Sequence, residues 1–201
     1  NIFEFLHHQG FIEQSGFRYF ATPLGSLTSR LYIDPLTTMT LREGLARIND
    51  KKISTPIGLL HLITCCPDSE LLNVSKTNLE ETENFASHFE DSFILTPENT
   101  ASLEDLFQYL RTIRTSWLLM QWIEEEKEDM MCDQFNVGPG DIYRQVESAQ
   151  WLLYAAGQVA HLLHQKSLTF DLENLRHRIQ YGIKEELLEL VKLRNVGRVR
   201  A

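Results

Sequence analysis

The 201 residues are 43% apolar and carry a net charge of −9, which suits one large or two small globular domains with buried cores. No stretch approaches the roughly 20 uninterrupted apolar residues of a membrane span, and the opening at Asn1 does not read as a secretory leader. The expectation is a chain that is neither anchored nor exported. It has no initiator Met and stops at Ala201 inside a basic segment, so it reads as a piece of a longer polypeptide.

Residues 2–9 have helical apolar spacing and stop at Gly10. Residues 11–14 then read as a short strand, Ser15-Gly16 as a tight turn and residues 17–22 as a second strand. Thr22-Pro23 opens a helix with Pro at its first position, where a missing N–H is harmless. Ser54-Thr55-Pro56 is a second start of this kind and opens the apolar run 57–66, which Pro67 ends. From Asn78 the chain is acidic and helix-compatible. Residues 97–100 (PENT) form a break, and Ser102-Leu103-Glu104-Asp105 is a further capping signal. Residues 137–140 (VGPG) read as another break, with Asp141 as N-cap of a long helix to about Gln165. The predicted fold class is mainly α: a small α/β unit over 1–50 in the order helix, strand, tight turn, strand, helix, followed by an all-helical bundle over 51–194.

The negative charge is uneven. Thirteen acids face three bases over 78–130, whereas 175–201 holds Arg176, Arg178, Lys184, Lys192, Arg194, Arg198 and Arg200 against three acids. Local sign governs attraction to a polyanion more than the total does. The ending combines Asn195-Val196-Gly197 with Arg198 and Arg200, as in a helix-hairpin-helix, where a Gly turn points N–H groups at phosphate. A plain Gly helix cap fits the same residues.

Several chemistries lack their residues. There is no Gly-x-x-x-x-Gly-Lys-Ser/Thr loop, no paired acidic box for magnesium and no nucleophile elbow. Cys65, Cys66 and Cys132 lack zinc-site spacing and read as reduced, buried thiols of a cytoplasmic protein. The pairs His7-His8 and His161/His164 have no carboxylate or thiol company.

On a wheel at 100° per residue, Ile142, Val146, Ala149, Leu153, Ala156, Ala160 and Leu163 fall within about 60° of one line, the core stripe. Arg144, Glu147, Ser148, Trp151, Ala155 and Gln158 fall on the opposite side, with Trp151 pointing away from the core. A Trp two turns, about 10 Å, from an Arg, flanked by small residues, makes a platform on which bases of any sequence can stack. The same wheel fits a helix inside a bundle, with Trp151 buried against a neighbour and Ser148 and Ala155 permitting close approach. Periodicity does not separate the two.

Residues 21–37 (ATPLGSLTSRLYIDPLT), 135–141 (FNVGPGD), 182–191 (GIKEELLELV) and 197–201 (GRVRA) together make the chain resemble archaeal superfamily-two DNA helicases of the Holliday-junction-migration type, relatives of the Ski-type helicases. The resemblance implies a 3′–5′ helicase of replication-fork repair and recombination. It would have two motor domains that hold ATP and magnesium, then a winged helix, a helical ratchet domain and a terminal helix-hairpin-helix-like domain. This chain matches the winged helix and the ratchet, with no ATP site or other cofactor of its own. The resemblance further implies single-stranded and forked DNA and the motor domains of the same polypeptide as partners. It places base stacking on Arg144 and Trp151; Ser148 and Gln158 share that face on the wheel, and Arg198 and Arg200 are candidate phosphate contacts from the Gly-turn reading of the terminal residues. Residues 2–9 stand where a recognition helix would, yet carry Glu4 and no Lys or Arg, so 1–50 reads as a scaffold on the motor and not as a sequence reader. A Ski-type RNA helicase fragment and a free-standing winged-helix regulator are the alternatives.

Overall fold

A computed structural model describes residues 1–51, 54–96 and 102–191. The first helix, α1 (Ile2–His8), is capped by the Asn1 side chain, which accepts from the Phe3 N–H at 3.2 Å. Gly10 and Gly16 both take positive φ, which glycine adopts without a Cβ clash. Between them the chain reverses into an antiparallel hairpin, β1 (Ile12–Ser15) against β2 (Arg18–Ala21), in the register Ile12↔Ala21 to Ser15↔Arg18. Relative to the sequence reading β1 is shifted by one residue and β2 is two residues shorter; Phe11 is buried and its N–H closes the turn after α1 on the Leu6 carbonyl.

Thr22 joins this wing to the rest. Its hydroxyl accepts from the Gly25 N–H at 3.1 Å, capping α2 (Pro23–Leu31), and donates to the Gly10 carbonyl at 2.7 Å. Gly25 lets the Phe11 carbonyl approach so closely that a Cβ would sit 2.0 Å from its oxygen. Tyr32 ends α2 in the left-handed region, and the Asp34 carboxylate caps α3 (Pro35–Lys51) on the Leu36 N–H.

α4 (Pro56–Thr64) begins as its capping signal requires, with Thr55 accepting from Gly58 N–H at 3.1 Å. Every residue from Ile57 to Thr64 is buried, so this all-round apolar helix is the centre of the molecule. Around it lie α5 (Leu79–His88), α6 (Leu103–Ile123), α7 (Glu128–Phe135), α8 (Pro139–Leu162), α9 (Lys166–Tyr181) and α10 (Leu188–Val191). Ser102 caps α6 through the Asp105 N–H at 3.1 Å.

One apolar cluster runs from Leu27, Leu31, Leu41 and Leu45 through Leu60, Leu62, Leu119 and Ile123 to Leu152, Leu153, Leu172 and Ile179. It crosses the junction near residue 50, so α2 and α3 share a core with the bundle. The molecule is mainly helical, with a small winged-helix-like part and a helical bundle. Residues 97–101 and 195–201, where the sequence reading placed a break and the helix-hairpin-helix start, lie outside the described residues.

The start of α8 corrects the sequence reading. The helix begins at Pro139, not after Gly140, with Gly138 as N-cap and Asp141 inside the first turn, its carboxylate accepting from the Gly138 N–H at 2.9 Å. A Gly-Pro pair looks like a break, but proline suits the first helical position because that N–H has no intrahelical partner.

Candidate nucleic-acid interface

α8 is the longest helix among the described residues, and its core stripe is buried as the wheel requires at Ile142, Val146, Ala149, Leu153, Ala156 and Ala160. Burial does not stop at that stripe. Gln145, Leu152, Ala155 and Val159 are buried too, because α8 lies between α9 and the α2–α3 pair. The face that the wheel leaves open is covered in its middle by a second neighbour.

That neighbour changes the position of Trp151. The side chain is half-buried and packs on the edge of the main core, and its indole N–H donates to the Leu31 carbonyl at 3.2 Å. The sequence reading had Trp151 pointing away from the core; the correction is that α2 reaches over it. Ala155 beside it is fully buried. Ser148 and Gln158 are half-buried on the same side.

Arg144 lies two turns toward the N-terminus, with its side chain 64% exposed. It pairs with Asp141 one turn back. The Gly138 N–H first, and the Arg144 guanidinium second, hold the Asp141 carboxyl below its usual range. At the far end of the row Gln158 borders a surface hollow of about 410 Å³ together with His161, and with Ser26 and Arg30 from α2. The exposed Arg30 is a cation that the wheel could not find, because it is brought to α8 only by the packing of α2. Its sequence signal was the Thr22-Pro23 cap, which fixes the phase of α2.

The basic tail is less available than its charge suggests. Arg178 is buried, donating to the Ile123 and Ile183 carbonyls and pairing with Glu124 at 2.8 Å, where it ties α9 to the end of α6. Arg176 is held by Glu173 at 2.7 Å, which also meets His177. Arg198 and Arg200 lie outside the described residues.

No group of three His, Cys, Asp or Glu able to hold a metal occurs among the described residues. The three cysteines are free; Cys66 is buried, and Cys65 is half-buried as a residue but turns its thiol inward against buried His61, so Cys132, half-buried on α7, is the one that departs from the expectation of interior thiols. Burial pushes the Cys65 thiol up to about 12, so it is not a nucleophile at neutral pH. No described helix is long and apolar enough to cross a membrane.

Comparison with known proteins identifies a family. Residues 57–182 match the family described as archaeal helicase, domain 4. The chain is 40% identical over 182 residues to a Pyrococcus abyssi protein named ATP-dependent DNA helicase Hel308, an alignment covering 89% of this chain and 24% of the relative. It is 38% identical over 182 residues to the protein of the same name from Pyrococcus horikoshii, covering 90% and 25%. The Methanocella arvoryzae protein of that name is 34% identical over 203 residues, covering 100% and 27%. The chain thus spans about a quarter of the length of these relatives, and with more than half of its residues in the matched region it belongs to the archaeal helicase domain 4 family.

Proposed function

We propose that this chain is the strand-gripping, non-catalytic portion of an ATP-dependent 3′–5′ DNA helicase acting in replication-fork repair and recombination. In this reading α8 is a ratchet helix along which single-stranded DNA bases stack. The observation that carries it is the row on α8: an exposed Arg144, then a Trp151 seven residues on, anchored by its indole N–H to Leu31 and exposed on its remaining surface. An anchored ring is a better platform than a free one, since little rotamer freedom is lost when a base lands on it. Arg30, Ser148 and Gln158 flank the same path.

ATP and magnesium belong to motor domains of the same polypeptide. Nothing in this sequence forms a loop that cradles phosphates. Residues 1–50 serve as a scaffold on those motor domains: Ile2, Phe3, Phe17 and Phe20 are exposed on α1 and the hairpin, which suits protein contact and not a DNA groove. Forked DNA is the substrate of the whole, and DNA is favoured over RNA by the names of the relatives.

The test is a titration of fluorescent single-stranded DNA and RNA of equal length with this chain, alone and mixed with the motor half. Tighter binding to DNA that weakens in Arg144→Ala and in Trp151→Ala is the expected result. Equal binding of both variants and the parent would remove the ratchet role.

A further inference from the structure

Beside Arg144 lies a second feature that the stacking row does not use. The segment 70–78 runs past the first turns of α8 and leaves a polar groove of about 420 Å³, within the range of about 300–1,000 Å³ typical of small-ligand sites. Gln145 is 6% exposed and lines this groove, yet its amide makes no hydrogen bond to another described residue. A side chain that is more than nine-tenths buried normally finds protein partners for its donors and acceptor. This one lines the groove instead.

The walls are built and held. Leu72 donates its N–H to Thr115 Oγ1 at 2.9 Å and accepts from Arg111 Nε at 3.3 Å, which fixes an irregular stretch to α6 from both sides. Asn78 Oδ1 accepts from the Ser75 N–H at 2.8 Å. Phe135 and Val137 contribute apolar surface, and Asn73 and Asn136 bring further amides to the opening.

The lining also selects the occupant. Glu70 and Asp141 stand on the groove, and Arg144 is already paired with Asp141, so the interior repels a phosphate. A neutral, planar group with donors and acceptors along one edge and an apolar face fits it, and that describes a nucleobase. A side-chain amide offers one acceptor and two donors, the set that matches base edges, adenine bidentately among them. We propose that this groove is a nucleobase subsite, in which one base unstacked from the bound strand is read at its edge by the Gln145 amide. The inference rests on the reading that a single strand follows α8 past Arg144. It adds a place where base identity is felt on a path otherwise indifferent to sequence.

The test uses this chain with three labelled strands of equal length: oligothymidine, oligodeoxyadenosine and an oligomer with abasic sites throughout. Gln145→Leu keeps the volume and removes the hydrogen bonds. It lowers affinity for at least one base-bearing strand by about three- to tenfold, the worth of a typical hydrogen bond, and leaves the abasic strand unchanged. Arg144→Ala weakens all three strands alike. Gln145→Glu, with one acceptor in place of the donor, provides a second variant should the first fold poorly. The Gln145 side-chain amide resonances of the parent chain shift on saturation with the preferred strand. Equal losses on all strands, no loss on any, unmoved resonances, or no strand binding at all overturn the subsite. If Gln145→Leu discriminates between strands while Arg144→Ala and Trp151→Ala bind as the parent does, the groove stands and the stacking platform falls. The reverse pattern keeps the platform and removes the groove.

Discussion

The Trp151 indole N–H reaches 3.2 Å to the Leu31 carbonyl, the last helical residue of α2. One side chain is therefore at once part of the seam between the winged-helix-like part and the bundle and part of the surface proposed to hold a strand. Substituting it must disturb both, and the two effects separate by choice of variant.

Trp151→Ala is expected to lower stability by about 1–3 kcal/mol, less than the roughly 3–5 kcal/mol of a fully buried Trp, because only part of the ring is covered. Trp151→Phe keeps an aromatic face and loses the N–H, and should cost about 0.5–1.5 kcal/mol while retaining most strand affinity. Chemical denaturation of both variants, read with strand titrations corrected for folded fraction, checks this. Identical strand affinity in Trp151→Ala and the parent would assign the ring to the seam alone.

Gly25→Ala tests the docking of the wing. At an ordinary helical position this change gains up to about 1 kcal/mol. Here the new Cβ would meet the Phe11 carbonyl at 2.0 Å, so a loss of about 1–3 kcal/mol is expected from overpacking. A thermal melt that moves upward would show that the α2–Phe11 contact gives way freely.

The capping hydroxyls were legible because capping is local. Thr22, Thr55 and Ser102 each accept from the N–H three residues on, as their sequences indicate. The hairpin was legible for the same reason, since Gly16 takes the positive φ its turn needs. What was not legible depends on neighbours distant in sequence. The wheel finds the core stripe of α8, but Leu31 lies 120 residues from Trp151, and no periodicity reveals that α2 will cover it. Arg114 and Arg178 fail similarly: charge predicts solvent, yet Arg114 lies buried over the Phe135 ring at 5.1 Å, donating to Thr82 and the Gln134 carbonyl. Arg178 was counted toward a basic tail and instead clamps two helix ends.

His61 gives the fold a pH dependence of definite sign. Its ring is buried beside Phe93 and Tyr109, and burial lowers its pKa from 6.5 to about 3. Between those values the unfolded chain binds a proton there and the folded chain does not, so stability falls as pH falls from about 6.5 towards 3. His61→Leu removes that proton. The stability difference between parent and variant should therefore change with pH across this window, by no more than about 1.4 kcal/mol per pH unit, and be flat above pH 7. A constant difference from pH 4 to pH 7 would mean that His61 takes up its proton in the folded chain as readily as in the unfolded one.

Arg144 and Asp141 supply the last prediction. The pair is solvent-exposed, so breaking it costs little in itself, and its importance lies in what each partner does otherwise. Arg144→Ala removes a cation from the proposed strand path, and the loss of affinity should be larger at low salt than at high salt, because a phosphate contact releases counterions. Asp141→Asn acts in the opposite sense on binding: it frees Arg144 and removes a negative charge from the path, so affinity at low salt should rise, and the plot of log affinity against log salt should steepen. The same substitution weakens the helix start, since the Asp141 carboxylate also accepts from the Gly138 N–H. That N-terminal contact also draws on the helix dipole, and its loss should cost about 0.5–1 kcal/mol. Tighter binding by a less stable protein is a combination that simple misfolding does not produce. If Asp141→Asn instead weakens strand binding in proportion to its loss of stability, the carboxylate serves only the helix, and Arg144 is not on the strand's path.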